Sequence, residues 1–268
     1  MSILAVTRRE WTGRRNVLLL ALGIGVIQFL GLYFEADPKV AHDKASFLGV
    51  FAGTALAWVI ALLFGATMVS RDLEERRFGF FLNQPLHAAQ IFLGKVLAGL
   101  GLALLAGLLA SLPSVLLSGL WRQLALKDVG SVLGVGLAGC LVLLLLLHAV
   151  SIQVRSRSLW LLLDLMAWTN FFAGVRWLSL RLIDAGAFQD MFHLWLGLLA
   201  GVTLGLGAAG YLQVAEGRAD LQRGHRWVSV TMALTLGLGL LAGWADVSWV
   251  LKHRPPEAKA QPGSSRIR

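Results

Sequence analysis

The chain has 268 residues, of which 57% are hydrophobic and 15% are charged, and its formal net charge is +9. A soluble domain carries about 25% charged residues, so this composition excludes an ordinary soluble enzyme and predicts a polytopic α-helical membrane protein. The positive charge does not indicate nucleic acid, because membrane proteins concentrate Lys and Arg in their cytoplasmic loops. The single cysteine, Cys140, excludes an intrachain disulfide.

Residues 1–15 mix apolar side chains with four arginines and Glu10. Apolar residues at helical spacing beside charges are typical of a helix that lies flat at a membrane interface. The apolar run 16–34 ends in acidic residues instead of a small-residue cleavage site, so we interpret it as an uncleaved first span. A second span is predicted at 47–69.

A charged segment, Arg71 to Lys95, separates the second span from the third. It begins with acidic and basic side chains, continues with phenylalanines and contains Pro85. A short helix with a charged end and an aromatic end can bind a soluble partner while it sits in the interface. The alternative is a solvated loop with cytoplasmic arginines. The candidate docking residues are Asp72, Glu74, Glu75, Arg76, Arg77, Phe78, Phe81 and Pro85.

Five further apolar runs complete the predicted membrane domain, which covers 16–251. They lie at 91–120, 132–153, 159–173, 194–214 and 227–247, and Pro113 predicts a kink in the first of them. Residues 174–192 are amphipathic and are predicted to lie flat or to re-enter the membrane. The Pro-, Gly- and Ser-containing stretch 252–268 predicts a disordered tail. The expected fold is an all-α bundle of six to seven transmembrane helices with an N-terminal interfacial helix and a short cytoplasmic helix in the charged segment.

Lys and Arg residues predict the orientation of these spans. They favour one side of the membrane by about two to one, which places the N-terminus and the charged segment in the cytoplasm.

Two glycine patterns, Gly134–Gly139 and Gly205–Gly210, match the dinucleotide-binding motif G-x-G-x-x-G. Both lie inside apolar runs, where glycine lets helices approach closely, so we interpret them as packing surfaces. The sequence contains no G-x-x-x-x-G-K-[ST] motif. No bound cofactor is therefore predicted for this chain, and any ATP-Mg must bind to a separate subunit.

Asp164 and His148 are the ionisable residues predicted inside apolar spans. An intramembrane carboxylate costs about 3 kcal/mol to insert, so Asp164 is expected to face protein or water. Both residues are candidates for a substrate or proton pathway, with helix packing as the alternative. No catalytic residue is predicted, because no Ser, His and Asp are expected at one membrane depth. No metal site is predicted, because the histidines lack metal-ligand spacing.

The charged segment resembles the corresponding part of ABC-2 type ABC transporter permeases. The matching residues are Asp72, Glu74, Leu82, Pro85, Ile91, Leu93, Gly94 and Lys95, and Arg76-Arg77 stands where the family usually carries Gly-Thr. The resemblance implies that this segment is a coupling helix that docks into an ABC ATPase subunit, and that residues 1–15 form the family's elbow helix. It also implies a second permease subunit, an export function and a bacterial inner membrane location.

Two other functions remain open from the sequence. One is an ATPase-independent secondary transporter or channel that uses Asp164 and His148. The other is a membrane scaffold subunit that binds partners and transports nothing.

Overall fold

The computed structural model describes residues 3–34, 38–69, 72, 87–117, 126–217 and 220–253. Every regular element in these residues is helical, as expected for apolar runs, because a helix in lipid satisfies its backbone N–H and C=O groups internally. The elements are α1 (Ile3–Gly13), α2 (Asn16–Tyr33), α3 (Pro38–Thr67), α4 (Ala88–Leu117), α5 (Leu126–Ser156), α6 (Trp160–Asp184), α7 (Phe188–Leu212), a π-helical turn (Gln213–Gly217) and α8 (Leu221–His253).

Helix length and composition identify the chain as an integral membrane protein. Four described helices are long and apolar enough to cross a membrane: Ala88–Leu116, Leu133–Ser156, Phe188–Gly217 and Leu221–His253. Helices α1 and α2 form a fifth candidate span if taken together, although the chain bends by 58° between them. Two predicted spans fall short of this criterion, since α6 does not meet it and the apolar part of α3, Phe51–Thr67, is shorter.

The described helices form two groups joined by α5. In the first group α4 packs against α1, α2 and α3, and in the second α8 packs against α6 and α7. Helix α5 contacts α3 and α4 on one side and α7 and α8 on the other. Helix α5 therefore supplies most of the contact between the two groups, and α4 adds a smaller direct contact with α7 and the π-helical turn.

Glycines set the closest approaches between helices. A Cβ on Gly53 of α3 would lie 2.8 Å from the Gly107 carbonyl oxygen of α4, and the reverse distance is 2.7 Å. The pattern Gly205–Gly210 is confirmed as a packing surface, because Gly205 faces Thr235 and Gly210 faces Phe92. The pattern Gly134–Gly139 packs only through Gly139, which faces Trp58; Gly134 and Gly136 have no described neighbour within 4 Å.

Several helix boundaries differ from the sequence prediction, since α3 begins at Pro38 instead of 47 and α5 begins at Leu126 instead of 132. Helix α6 continues through residue 174 to Asp184, because Val175, Leu178 and Leu182 extend its buried face at helical spacing. The polar stretch between the predicted spans 194–214 and 227–247 predicts a loop, but helix α8 begins inside it, at Leu221. Its early polar residues, Gly224, His225 and Ser229, are buried at helical spacing.

Candidate functional site

Two buried polar clusters stand out among the described residues. We call Glu10, Arg14, Asp72 and Lys95 the ion cluster. We call Ser156, Asp164 and His225 the three-helix bridge, because they come from α5, α6 and α8.

Lys95 is the centre of the ion cluster. Its side chain, on the second turn of α4, is 1% exposed, and its Nζ lies 2.6 Å from Glu10 Oε1 and 2.6 Å from Asp72 Oδ2. Glu10 belongs to α1, and Asp72 lies just beyond α3. A buried ammonium is stable only when anions and hydrogen bonds replace its hydration, and the two carboxylates supply both. Lys95 therefore ties α1 and the start of the charged segment to α4.

Arg14 extends the ion cluster to the end of α3. Its Nε lies 3.8 Å from Glu10 Oε2, its Nη1 donates a 2.9 Å hydrogen bond to Thr67 Oγ1, and its guanidinium lies 4.2 Å from the centre of the Phe64 ring. With two cations and two anions, the four side chains sum to zero formal charge. Such a cluster can sit beside apolar surface without a net charge to desolvate.

Helix α1 is fixed to α4 by three further contacts. Val6 is buried against Gly94, where a Cβ would lie 2.8 Å from the Val6 Cβ. Thr7 Oγ1 donates a 3.1 Å hydrogen bond to the Gly94 carbonyl, and Trp11 Nε1 donates a 3.2 Å bond to the Ala98 carbonyl. The amphipathic helix predicted at the N-terminus thus lies on α4 through its apolar face.

The predicted docking residues are only partly described. Asp72 belongs to the ion cluster, at the N-terminal edge of the charged segment. The other seven lie outside the described residues: Glu74, Glu75, Arg76, Arg77, Phe78, Phe81 and Pro85.

The three-helix bridge centres on His225. Its Nε2 lies 2.6 Å from Asp164 Oδ2, and its Nδ1 contacts the Ser156 hydroxyl. Ser156 also donates a 3.0 Å hydrogen bond to the Gln153 carbonyl. His225 is fully buried, and Asp164 and Ser156 are 4% and 6% exposed.

The bridge corrects one expectation from the sequence. We expected no Ser, His and Asp at one depth, yet Ser156, His225 and Asp164 are in contact. The expectation was wrong because it placed His225 in a loop. The contacts resemble a catalytic triad in residue type, but the buried Ser156 hydroxyl is not accessible to a substrate carbonyl in this conformation. The visible role of the bridge is to join α5, α6 and α8.

His148 and Asp164, predicted together as candidate pathway residues, are not paired with each other. Asp164 pairs with His225, whereas the His148 ring lies 6.1 Å from the Phe92 ring and contacts Gly210. Neither ring nitrogen of His148 has a hydrogen-bond partner among the described residues. Four more buried side chains keep a polar atom without such a partner there: Gln153, Asp164, Gln213 and Ser229.

The ends of α5, α7 and α8 thus meet at a group of polar side chains that we call the polar joint. Its members are His148, Gln153, Gln213, His225 and Ser229. The Gln213 side chain approaches Gly224, the residue before His225. Gln213 opens the π-helical turn, and such turns occur frequently at functional sites. Within the described residues, no three His, Cys, Asp or Glu side chains converge as a metal site requires. A mostly apolar groove of about 670 Å³ opens elsewhere, between α7 and α8, and neither cluster lines it.

Sequence reasoning missed Glu10 and Arg14 of the ion cluster and Ser156 and His225 of the three-helix bridge as site residues. His225 had a detectable signal, since Gly224, His225 and Ser229 follow helical spacing between charged neighbours. The partnership of Glu10 with Lys95 spans 85 residues and has no local signal. No protein-family model, curated protein or solved structure matched the chain in the comparisons with known proteins.

Proposed function

We propose that the chain is the transmembrane permease subunit of an ABC-2 type ABC transporter. In this proposal a separate ABC ATPase subunit binds ATP-Mg and drives export. Two permease subunits enclose the path along which the substrate crosses the membrane. The location is the bacterial inner membrane, with the N-terminus in the cytoplasm. The observation that carries the proposal is that the two edges of the charged segment, Asp72 and Lys95, are paired with each other, and that Lys95 is also paired with Glu10.

The ion cluster gives a physical route for coupling. The segment between Asp72 and α4 carries the candidate docking charges, and its two edges are held 2.6 Å apart at the Asp72 carboxylate and the Lys95 ammonium. A displacement of this segment by a partner must therefore move α4 and the residues that follow α3 together. Glu10 passes the same displacement to α1.

ATP binding changes access to the path only through its different affinity for the two conformations of the transporter. In the proposed cycle the ATPase subunits close on ATP and carry the docking segment with them. Helices α3 and α4 then tilt as a pair, because Gly53 and Gly107 hold their backbones in contact. Glu74, Glu75, Arg76 and Arg77 supply the charges that recognise the ATPase. Phe78, Phe81 and Pro85 place the end of the segment in the interface.

The test is the double substitution Glu74→Arg with Glu75→Arg, compared with wild type by pull-down from detergent and identification of the bound ABC ATPase. We expect wild type to co-purify with the ATPase in detergent and to stimulate its ATP hydrolysis. Reversal of two docking charges should reduce co-purification at least tenfold, which corresponds to about 1.4 kcal/mol. The double variant should still insert and elute at the wild-type volume.

A matched control reverses two acidic residues on the opposite side of the membrane, Asp184→Arg with Asp190→Arg. This control should bind the ATPase like wild type. Equal binding by the docking variant, or no ATPase binding by wild type, contradicts the proposal. Substrate flux through vesicles that contain the chain without ATPase or ATP would instead support the ATPase-independent transporter.

A further inference from the structure

Each hydrogen bond around His225 needs one hydrogen, so the number of bonds shows how many hydrogens the bridge must contain. Three bonds are formed: His225 Nε2 with Asp164, His225 Nδ1 with Ser156, and Ser156 with the Gln153 carbonyl. The Gln153 carbonyl has no hydrogen to give, and the serine hydroxyl has one. The two bonds of His225 therefore need two further hydrogens.

An ionised Asp164 and a neutral imidazole supply only one of these two hydrogens. The serine would then have to turn its hydrogen from the Gln153 carbonyl toward His225 Nδ1, and one of the three bonds would be lost. All three bonds form together only when the Asp164–His225 pair holds one extra proton. That proton can sit on the imidazole or on the carboxylate, so it belongs to the pair rather than to one residue.

We infer that Asp164 and His225 form an intramembrane proton-binding site whose proton completes the three buried hydrogen bonds of the three-helix bridge. Three observations support it: both side chains are buried, the atoms lie 2.6 Å apart, and the second imidazole nitrogen is committed to a hydroxyl that already donates elsewhere. Loss of the proton costs one of these three buried hydrogen bonds, which lowers the stability of the folded protein. This site is independent of the proposed ATPase partner.

Other ionisable groups on the packed elements are placed differently. The two arginines at the start of α8 point to other partners, since Arg223 lies 3.9 Å from the half-exposed Glu216 of the π-helical turn, and Arg226 lies 5.9 Å from the centre of the Trp160 ring. Arg155 of α5 is exposed. His148, also on α5, is buried and is the one other described histidine in the polar joint. A test must therefore separate His225 from His148.

The experiment measures the Tm of the purified full-length chain in detergent from about pH 5 to about pH 8, the range in which histidine changes charge. The bridge is complete when the proton is bound, so we expect the Tm of wild type to fall as pH rises, by on the order of 5 °C. His225→Gln should remove most of this pH dependence. His253→Gln changes an exposed histidine and should keep the pH dependence of the wild-type Tm. His148→Gln should keep the share of this pH dependence that is lost in His225→Gln.

Two serine variants test the inference even if His225→Gln fails to fold. Ser156→Thr keeps the hydroxyl and should keep the pH dependence, whereas Ser156→Ala removes the acceptor for His225 Nδ1 and should flatten it. If Ser156 contributes only to packing, the Tm of Ser156→Ala and the Tm of Ser156→Thr should change with pH in parallel. The inference is overturned if wild type and His225→Gln share one pH profile, or if Ser156→Ala and Ser156→Thr do. A failure here leaves the ATPase-binding experiment unaffected.

Discussion

Lys95 combines a full charge with almost complete burial, and this environment depends on residues distant in sequence. Its partners, Glu10 and Asp72, lie 85 and 23 residues away. Sequence analysis identified Asp72 and Lys95 as parts of one segment, because both belong to a local motif. It did not identify Glu10, because side chains this far apart meet only through the packing of α1 on α4.

Substitution of Lys95 tests the ion cluster. Lys95→Met keeps much of the side-chain volume but leaves the Glu10 and Asp72 carboxylates close together without their shared cation. We expect a loss of about 3 kcal/mol in the free energy of unfolding, since breaking a buried ion pair leaves uncompensated charge. The measurement is the Tm in detergent by size-exclusion chromatography of heated samples.

Lys252→Met is the matched control, because Lys252 is exposed near the end of α8. It should leave the Tm close to the wild-type value. A Lys95→Met protein as stable as Lys252→Met would show that the ion cluster contributes little. The double variant Asp72→Asn, Lys95→Met should recover part of the loss, because it removes one anion and one cation and leaves Glu10 paired with Arg14.

The burial of Asp164 could be predicted from the sequence, but its partner could not. A carboxylate inside an apolar run is expected to face protein, and Asp164 is buried against α8. Its partner could not be chosen from the sequence, because the charged residues around His225 made that stretch look like a loop. Arg223 and Arg226 belong to a helix whose buried face carries Gly224 and His225.

At the scale of helices, hydrophobic runs predicted most of the described elements. The runs 16–34, 132–153 and 194–214 correspond to α2, α5 and α7, because an apolar stretch in lipid has few alternatives to a helix. The ends of helices were harder to predict. Helix α6 passes the predicted end at 173, since the apolar face that buries it continues among exposed residues such as Arg176 and Arg181.

Glycines in α7 allow a comparison within one helix. A Cβ on Gly205 would overlap the Thr235 side chain of α8, whereas Gly197 has no described neighbour within 4 Å. Thr235 is β-branched, and its hydroxyl bonds to the Thr231 carbonyl, so its side chain cannot easily turn away. We expect Gly205→Ala to destabilise the protein by about 1–3 kcal/mol through overpacking.

Gly197→Ala should change the Tm little or raise it slightly, because alanine favours helix more than glycine does by about 1 kcal/mol. Heat denaturation of both variants in the same detergent provides the comparison. Equal stability of Gly205→Ala and Gly197→Ala would contradict the close packing of α7 on α8.

At the scale of the whole molecule, the proposed orientation determines which clusters a cytoplasmic partner can reach. The N-terminal elbow, the charged segment and the start of α8 share one side in the topology predicted from Lys and Arg. The same prediction places the turn between α6 and α7 on the other side.

Cysteine labelling tests this orientation in a Cys140→Ala background. Arg223→Cys and Asp184→Cys introduce thiols at exposed positions near opposite ends of the helices. A maleimide that cannot cross membranes should label Asp184→Cys in intact cells and should label Arg223→Cys only after the membrane is opened. The reverse pattern would place the charged segment outside the cell and exclude the proposed ATPase docking.

The attachment of Glu10 to Lys95 also affects the order in which the protein matures on the ribosome. Residue 10 leaves the ribosome first, but its partner follows 85 residues later, which at about 5–20 residues per second takes roughly 4–17 s. During this interval α1 has no Lys95 to bind. Helix α1 is therefore joined to Lys95 only after this part of α4 has emerged, and until then α1 must fold or insert without that ion pair.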